Sequence, residues 1–444
     1  MRSFLTVVSA LLVWTLVAPV ATAKQVRLEV SLDKPTLLAE KKQTTFIKVG
    51  LTGFKTDSSK ERSPVNVAIV LDKSGSMQGQ KIAKAKEAAI AAIERLNEND
   101  IVSVVAYDST VTVVVPATKL ADKRSLIERV RRIAAGGSTA LFAGVSKGAA
   151  EIRKFAEKER VNRVILLSDG LANVGPKSPS ELGALGASLM KESIAVSTMG
   201  LGLDYNEDLM TKLAQKSGGN HVFIEEADQL VQVFNYEFND VLSVVAQEVA
   251  IDIRTAQGVR PVRVLNSANE INGQTVIVSM NQLYSEQEKY VLLEVEVPAS
   301  KAGQSREIAE VKVSYANMLT HTTDRLSSSV SANFSDSVAV VEKNINVLVC
   351  TDCVLQLANE QNILATALRD RGDVEGARRI LLVNSRFLKE NAAKYKSNIL
   401  LVRGKDNKVQ ASNLDTVKWA KNRKMMRQLQ NNDAIQQAYD GKKR

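Results

Sequence analysis

Cysteine and histidine are nearly absent from this chain, with two of each in 444 residues. Two cysteines, Cys350 and Cys353, cannot knit a disulfide scaffold, so stability must come from ordinary apolar cores. Their C-x-x-C spacing leaves a local disulfide, a pair of free thiols or a redox pair open, although no thioredoxin-like βαβ pattern surrounds it. His221 and His321 are too few for a histidine-rich zinc site. No G-x-x-x-x-G-K-[ST] occurs, which excludes a P-loop nucleotide site. "GLG" at 200–202 lacks the third glycine of a dinucleotide fingerprint and reads as a strand-end turn. Beyond the first 23 residues, no apolar run reaches the ~20 residues of a membrane helix.

Those first residues form a pattern of their own. Arg2 precedes the apolar run "FLTVVSALLVWTLVAPV", and "ATA" stands before Lys24. This is the layout of a secretory signal peptide cleaved after Ala23, and it implies a periplasmic or secreted protein. The paucity of cysteine suits a bacterial chain better than a disulfide-rich animal ectodomain. The net charge of +10 is uneven: residues 401–444 hold eleven Lys or Arg against four Asp, a net +7. A basic tail of this kind suits an anionic surface or an acidic protein, and export argues against nucleic acid.

Periodicity divides the mature chain. "VRLEVSL" and "TTFIKVGLTG" alternate apolar and polar residues as half-buried strands, and "KTDSSKERSP" follows as a polar linker, giving an N-terminal segment at 24–63. Over 64–245, fully apolar strands ("VNVAIVL", "IVSVVAY", "RVILLS", "IAVSTMG") alternate with amphipathic helices. That alternation predicts a doubly wound α/β domain on a parallel sheet. Residues 246–336 read as strands separated by turns, a β-sandwich that the two N-terminal strands would complete, making the α/β domain an insertion. Residues 337–400 read as a helical hairpin, with "RDRGDVEGA" as its turn, so the RGD at 371–373 reads as an interhelical turn and not as an adhesion motif. Residues 401–444 are the weakly patterned basic tail.

The chemistry concentrates where strands of the α/β domain end. "VLDKSGSM" closes the first of them on Asp72 and sets Ser74 and Ser76 at alternate positions. "GGSTALFAG" offers Thr139 in a glycine-led loop, and "VILLSDGLANVG" ends a later strand on Asp169. All three stretches leave the carboxyl ends of parallel strands, where such sheets bind ligands. Together they provide oxygen ligands only, which suit Mg²⁺, Mn²⁺ or Ca²⁺ better than zinc. Lys73 would add positive charge beside them. The alternative is that Ser74 and Ser76 merely cap the helix over 80–97, a reading that leaves Thr139 and Asp169 without a role.

The order D-x-S-x-S, then Thr in "GGST", then Asp in "SDG" resembles the metal-ion-dependent adhesion site of von Willebrand factor type A domains. "STMGLGLDYNEDLMTKLAQKSGGNHVF" is similar to that family's last strand–helix–strand, and the likeness covers roughly 64–245. It implies that Asp72, Ser74, Ser76, Thr139 and Asp169 hold a divalent cation, Mg²⁺ first, with Mn²⁺ or Ca²⁺ as substitutes. It also implies a secreted bacterial binding protein in which the cation takes an Asp or Glu of a partner protein, with no catalytic residues. A structural surface or assembly factor without a metal-dependent partner is one competing reading, and two enzyme readings are others. A haloacid dehalogenase-type phosphatase needs a second Asp where Ser74 stands, and a Ser74–Asp169–His221 triad lacks the G-x-S-x-G elbow.

Overall fold

Alternation puts Val26, Leu32, Ile47, Val49 and Leu51 into one core and starts the chain as β1 (Val26–Leu32), β2 (Thr36–Leu38) and β3 (Gln43–Gly53). The computed structural model describes residues 25–55, 62–157, 159–265 and 269–437. The expected signal peptide and most of the polar linker lie outside the described residues.

The chain then builds the α/β domain around β4 (Val65–Asp72), β5 (Ile101–Tyr107), β6 (Val111–Lys119), β7 (Val161–Ser168), β8 (Ile194–Leu201) and β9 (His221–Ile224). Their order in the sheet is β6-β5-β4-β7-β8-β9, with β6 antiparallel to its neighbour and the others parallel. Every residue of β4, β5, β7 and β8 is buried, because helices cover both faces. The period of two decides which side chain goes where. Val67, Ile69 and Leu71 pack under α1 (Gln80–Arg95) and its neighbours, whereas Ala68 and Val70 pack under α3 (Leu141–Arg153) on the other face. On α1, Ile82, Ala85, Ala89 and Ile93 supply the inward stripe. Burying one such Val, Leu or Ile is worth about 1.5–3 kcal/mol, so β4, in the middle of the sheet, anchors everything that sits on its end. Helices α2 (Lys123–Arg131), α4 (Pro179–Lys191), α5 (Glu207–Ser217) and α6 (Leu230–Leu242) complete the layers, α1, α2 and α6 on one face and α3, α4 and α5 on the other.

From Val244 onward come β10 (Val244–Thr255), β11 (Arg260–Val264), β12 (Asn269–Asn272), β13 (Thr275–Tyr284), β14 (Glu288–Val297), β15 (Ser305–Asn317) and β16 (Thr323–Ser335). They form two sheets, β1-β3-β14-β11 and β12-β13-β10-β15-β16-β2, which share one apolar core. β3 pairs antiparallel with β14 over ten residues, Gln43 opposite Val297 through Thr52 opposite Glu288. Chain that precedes the α/β domain is thus hydrogen-bonded to chain that follows it. A buried polar hub ties the domain to these sheets: Arg163 on β7 donates to Glu237 (2.8 Å), Ser197 (2.7 Å) and Tyr284 (3.0 Å).

The chain closes with α7 (Val338–Lys343), α8 (Val347–Asp370), α9 (Val374–Tyr395), α10 (Asn398–Ser412) and α11 (Thr416–Ile435). The RGD residues form the α8–α9 turn, in which Gly372 takes φ 89° and Asp373 caps α9 by accepting from Gly376 N at 2.8 Å. The segment expected as a weakly patterned tail folds instead, as most of α10 and all of α11. The reason it escapes pattern reading is that amides line its inner face: Asn407, Gln410, Asn422, Gln430, Asn431 and Asn432 are buried. Its hydrophobic period is therefore faint while its burial is real. Cys350 and Cys353 are buried and free on α8, where Cys353 packs with Val349 against Tyr290 and Leu292 of β14 and Cys350 Sγ lies 3.6 Å from Asp33 O. The local disulfide that the spacing allows is not formed, and burial pushes both thiols up, which keeps them as unreactive thiols at neutral pH.

Candidate metal centre

β4 delivers Asp72 to the carboxyl edge of the sheet, fully buried. Its Oδ1 accepts from Ser74 N at 2.8 Å, and its Oδ2 from the Ser168 hydroxyl at 2.7 Å. Burial raises its pKa above the ordinary value; the Ser168 and Ser74 hydrogen bonds oppose that rise, and the nearby Asp169 charge adds to it. The capping alternative does not hold, since the N-cap of α1 is Gly79, with no side-chain cap, and Ser74 precedes a single 3-10 turn without capping it either. The two serines are aimed elsewhere: Ser74 Oγ lies 3.1 Å from Ser76 Oγ, and Ser76 donates to Asp169 Oδ1 at 2.6 Å.

Backbone hydrogen bonds fasten the contributing loops to one another. Gly75 N donates to Gly137 O at 2.9 Å, and Gly136 N to Lys73 O at 2.7 Å. Gly137 has φ 82°, and a Cβ there would stand 3.0 Å from Asp108 Cγ, so the loop needs glycine on both counts. Asn173 accepts from Thr139 N at 2.8 Å while its own N–H donates to Thr139 O at 3.1 Å, which joins the "GGST" loop to the one after Asp169. Gly170 keeps the hydroxyls uncovered, because a Cβ there would lie 3.3 Å from Thr139 Oγ1 and 3.4 Å from Ser76 Oγ. Asp72, Ser74, Ser76 and Asp169 are thus linked by hydrogen bonds, and Thr139 faces the same glycine as Ser76.

Lysines behave differently from expectation. Lys73 turns to Asp108, whose carboxyl is held below its ordinary value by the Lys73 and Thr110 hydrogen bonds against the opposing effect of burial. The ammonium that reaches the centre is Lys81, 2.6 Å from Asp169 Oδ2. Sequence reasoning missed Lys81, Ser168, Asp108 and Asn173. The only signal for Lys81 is a cation in the first turn of a helix, where the macrodipole disfavours it. His221 is fully buried on β9, its Nδ1 2.9 Å from Thr198 Oγ1 and its Nε2 3.4 Å from Tyr205 OH, so the Ser74–Asp169–His221 triad is not assembled.

A hard cation fits these residues. Two buried carboxylates and three hydroxyls offer oxygen alone, and among the described residues no group of three His, Cys, Asp or Glu competes as a softer site. One ammonium stands against two carboxylates, leaving negative charge that an ion would neutralise. Exposed Leu171, Val174 and Leu203 lie on loops at the same edge of the sheet.

Residues 66–236 match the profile of the von Willebrand factor type A domain. Over 283 residues the chain is 27% identical to an uncharacterized protein of Synechocystis sp., covering 62% of this chain and 66% of that protein. It is 29% identical over 167 residues to inter-alpha-trypsin inhibitor heavy chain H3 of Homo sapiens, covering 35% of this chain and 18% of that one. The chain thus matches less than two thirds of either relative's length. Among solved structures, a von Willebrand factor type A protein from Catenulispora acidiphila superposes with TM-score 0.66 at 18% identity, covering 85% of this chain and 89% of that one. The ArnB paralog VWA2 from Sulfolobus acidocaldarius gives TM-score 0.65 at 17% identity, covering 93% and 99%. At such identities the likeness is one of fold, and it takes in the sheets and helices around the α/β domain.

Proposed function

We propose, from the premise that residues 66–236 are a von Willebrand factor type A domain, that this protein binds other proteins through a divalent cation and catalyses no reaction. One observation carries the reading: Asp72, Ser74, Ser76, Thr139 and Asp169, drawn from three distant stretches, converge at the carboxyl edge of the sheet. These residues would hold Mg²⁺, with Mn²⁺ or Ca²⁺ as substitutes. A bound cation supplies positive charge and a replaceable water position to the Asp or Glu of a partner. The exposed Leu171, Val174 and Leu203 give that partner an apolar rim, and the loops that carry them select among carboxylates. The two sheets with a shared core act as a β-sandwich into which the domain is inserted.

The first 23 residues support secretion or a periplasmic location. An anionic surface contact falls to the exposed Lys405, Lys408 and Lys418, because Arg423, Lys424 and Arg427 are paired within the chain. Isothermal calorimetry with Mg²⁺, Mn²⁺ and Zn²⁺, followed by pull-down with and without EDTA, tests the reading. One divalent ion per chain and EDTA-sensitive capture are expected. Zinc binding with indifference to Mg²⁺, or capture that EDTA leaves unchanged, would overturn it.

A further inference from the structure

Asp72 and Asp169 are both fully buried and are joined through Ser74 and Ser76 by hydrogen bonds. Buried like charges need a counter-charge. Lys73, the lysine nearest in sequence, is engaged with Asp108. Lys84, on the same helix face, is engaged with Glu87 and Asp228. Lys81 remains, and among the described residues its ammonium has one acceptor, Asp169 Oδ2 at 2.6 Å. Its position is otherwise poor, because the second residue of α1 places a cation at the positive end of the helix dipole. The Lys81 side chain is 32% exposed while the Asp169 side chain is 0% exposed, so the lysine holds its partner from the solvent side. On its other flank is the turn at Gly202, where φ is 75° and a Cβ would lie 3.9 Å from Lys81 Nζ. The ammonium therefore has both a partner to hold and an open way out.

We infer that Lys81 is a tethered counter-cation that competes with the divalent ion for Asp169. It occupies the carboxylate when the ion is absent and swings toward solvent past Gly202 when the ion binds. The lysine thereby keeps the empty centre folded and holds the ion's affinity down. A centre loaded loosely by the cation alone is then completed by a partner carboxylate. This inference rests on the cation-binding reading above.

The test pairs two measurements. In calorimetry with Mg²⁺, Lys81→Met, which keeps the length and removes the charge, is expected to bind at least about tenfold more tightly than the wild type, about 1.4 kcal/mol. Its thermal midpoint in EDTA is expected to fall, and Lys81→Arg to restore it. Unchanged or weaker Mg²⁺ affinity in Lys81→Met overturns the competition while leaving the cation reading intact, provided the wild type binds. Absence of binding to both proteins overturns the two together. The second measurement uses the wild-type protein and needs no folded variant: acylation of Lys81 by an amine reagent, read by mass spectrometry. Faster labelling in Mg²⁺ than in EDTA is expected, and equal rates with bound Mg²⁺ would overturn the inference.

Discussion

Two carboxylate pairs of the α/β domain meet opposite fates. Asp72 and Asp169, at the carboxyl edge, have one lysine between them, on Asp169, and a set of hydroxyls. Glu207 and Asp208, in the first turn of α5, are matched by three cations of α11. Arg423 reaches Glu207, Asp208 (2.5 Å) and Asp370 (2.8 Å); Lys424 reaches Glu207 (2.6 Å); and Arg427 reaches Asp208 (2.7 Å). The titration of the two pairs follows. Burial would raise Asp72, Glu207 and Asp208, but at the α5 pair the Lys424, Arg423 and Arg427 charges overcome it and hold both carboxyls below their ordinary values. At Asp72 burial wins. A saturated pair is a clamp that fastens the last helix to the domain. An under-matched pair is destabilised on its own and gains from an added ion.

Removing a ligand should produce the largest contrast. Asp169→Ala is expected to abolish divalent binding in calorimetry, since truncating one partner of a buried charged contact costs about 2–5 kcal/mol, well over tenfold. Glu207→Ala should leave that affinity within about twofold of wild type. If both variants lose the ion, the division between the two pairs is wrong.

At the clamp the expected effect is on folding. Arg423→Ala leaves Glu207, Asp208 and Asp370 short of a shared partner and should destabilise by about 3 kcal/mol in urea unfolding, with ion affinity unaltered. A change in ion affinity with no loss of stability would reverse the assignment.

Thr139→Ala should lie between the two. It removes a hydroxyl next to Gly170 but no core contact, so stability should change by less than about 1 kcal/mol while Mg²⁺-dependent capture falls more than tenfold. Equal capture by wild type and variant would move the contact surface away from the centre.

Acid should separate the pairs by sign. Because Glu207 and Asp208 bind protons less tightly folded than unfolded, their contribution is present above ordinary carboxylate pKa values and is lost as pH falls through the lowered folded ones. His221 acts in the same direction, since burial depresses it from 6.5 to about 4 and the unfolded chain takes up the proton first as pH falls through that window. Asp72 is opposite: its raised pKa means that stability falls as pH rises from the unfolded value through the folded one. Buried Asp240, raised to about 7, likewise acts against Glu207, Asp208 and His221 over the same window. In EDTA, wild type should therefore lose more stability than His221→Gln between pH 6.5 and about 4. Asp72→Asn should stabilise at pH 7, with the gain shrinking on acidification; a gain independent of pH would show that charge is not its source.

The candidate cluster around Asp72 was legible because its residues are local to motifs. Asp72, Ser74 and Ser76 lie within five residues, and Thr139 and Asp169 each sit in a glycine-flanked loop after a patterned element. The α/β layering was legible too, because strands covered on both faces must be apolar throughout and the helices between them carry a 3.6 period. β16 was not: Leu326, Val330, Ala332 and Phe334 turn inward, but the run Ser327–Ser328–Ser329 breaks the alternation and only Ala332 and Phe334 are fully buried. Nor was α11, whose buried face is made of amides and paired cations.

Local order in the chain therefore decided which residue types stand at strand ends and which face of an α/β-domain helix such as α1 turns inward, because those depend on spacing along one segment. Pairing between segments was decided by the folded structure alone. The eleven positive charges read from residues 401–444 gave no sign that Arg423, Lys424 and Arg427 are spent on α5. Lys73 and Lys81 are both lysines near one motif, yet only their directions in space send the first to Asp108 and the second to Asp169. Which carboxylate a cation neutralises depends on distance and burial, and both arise only when distant stretches of chain are brought together.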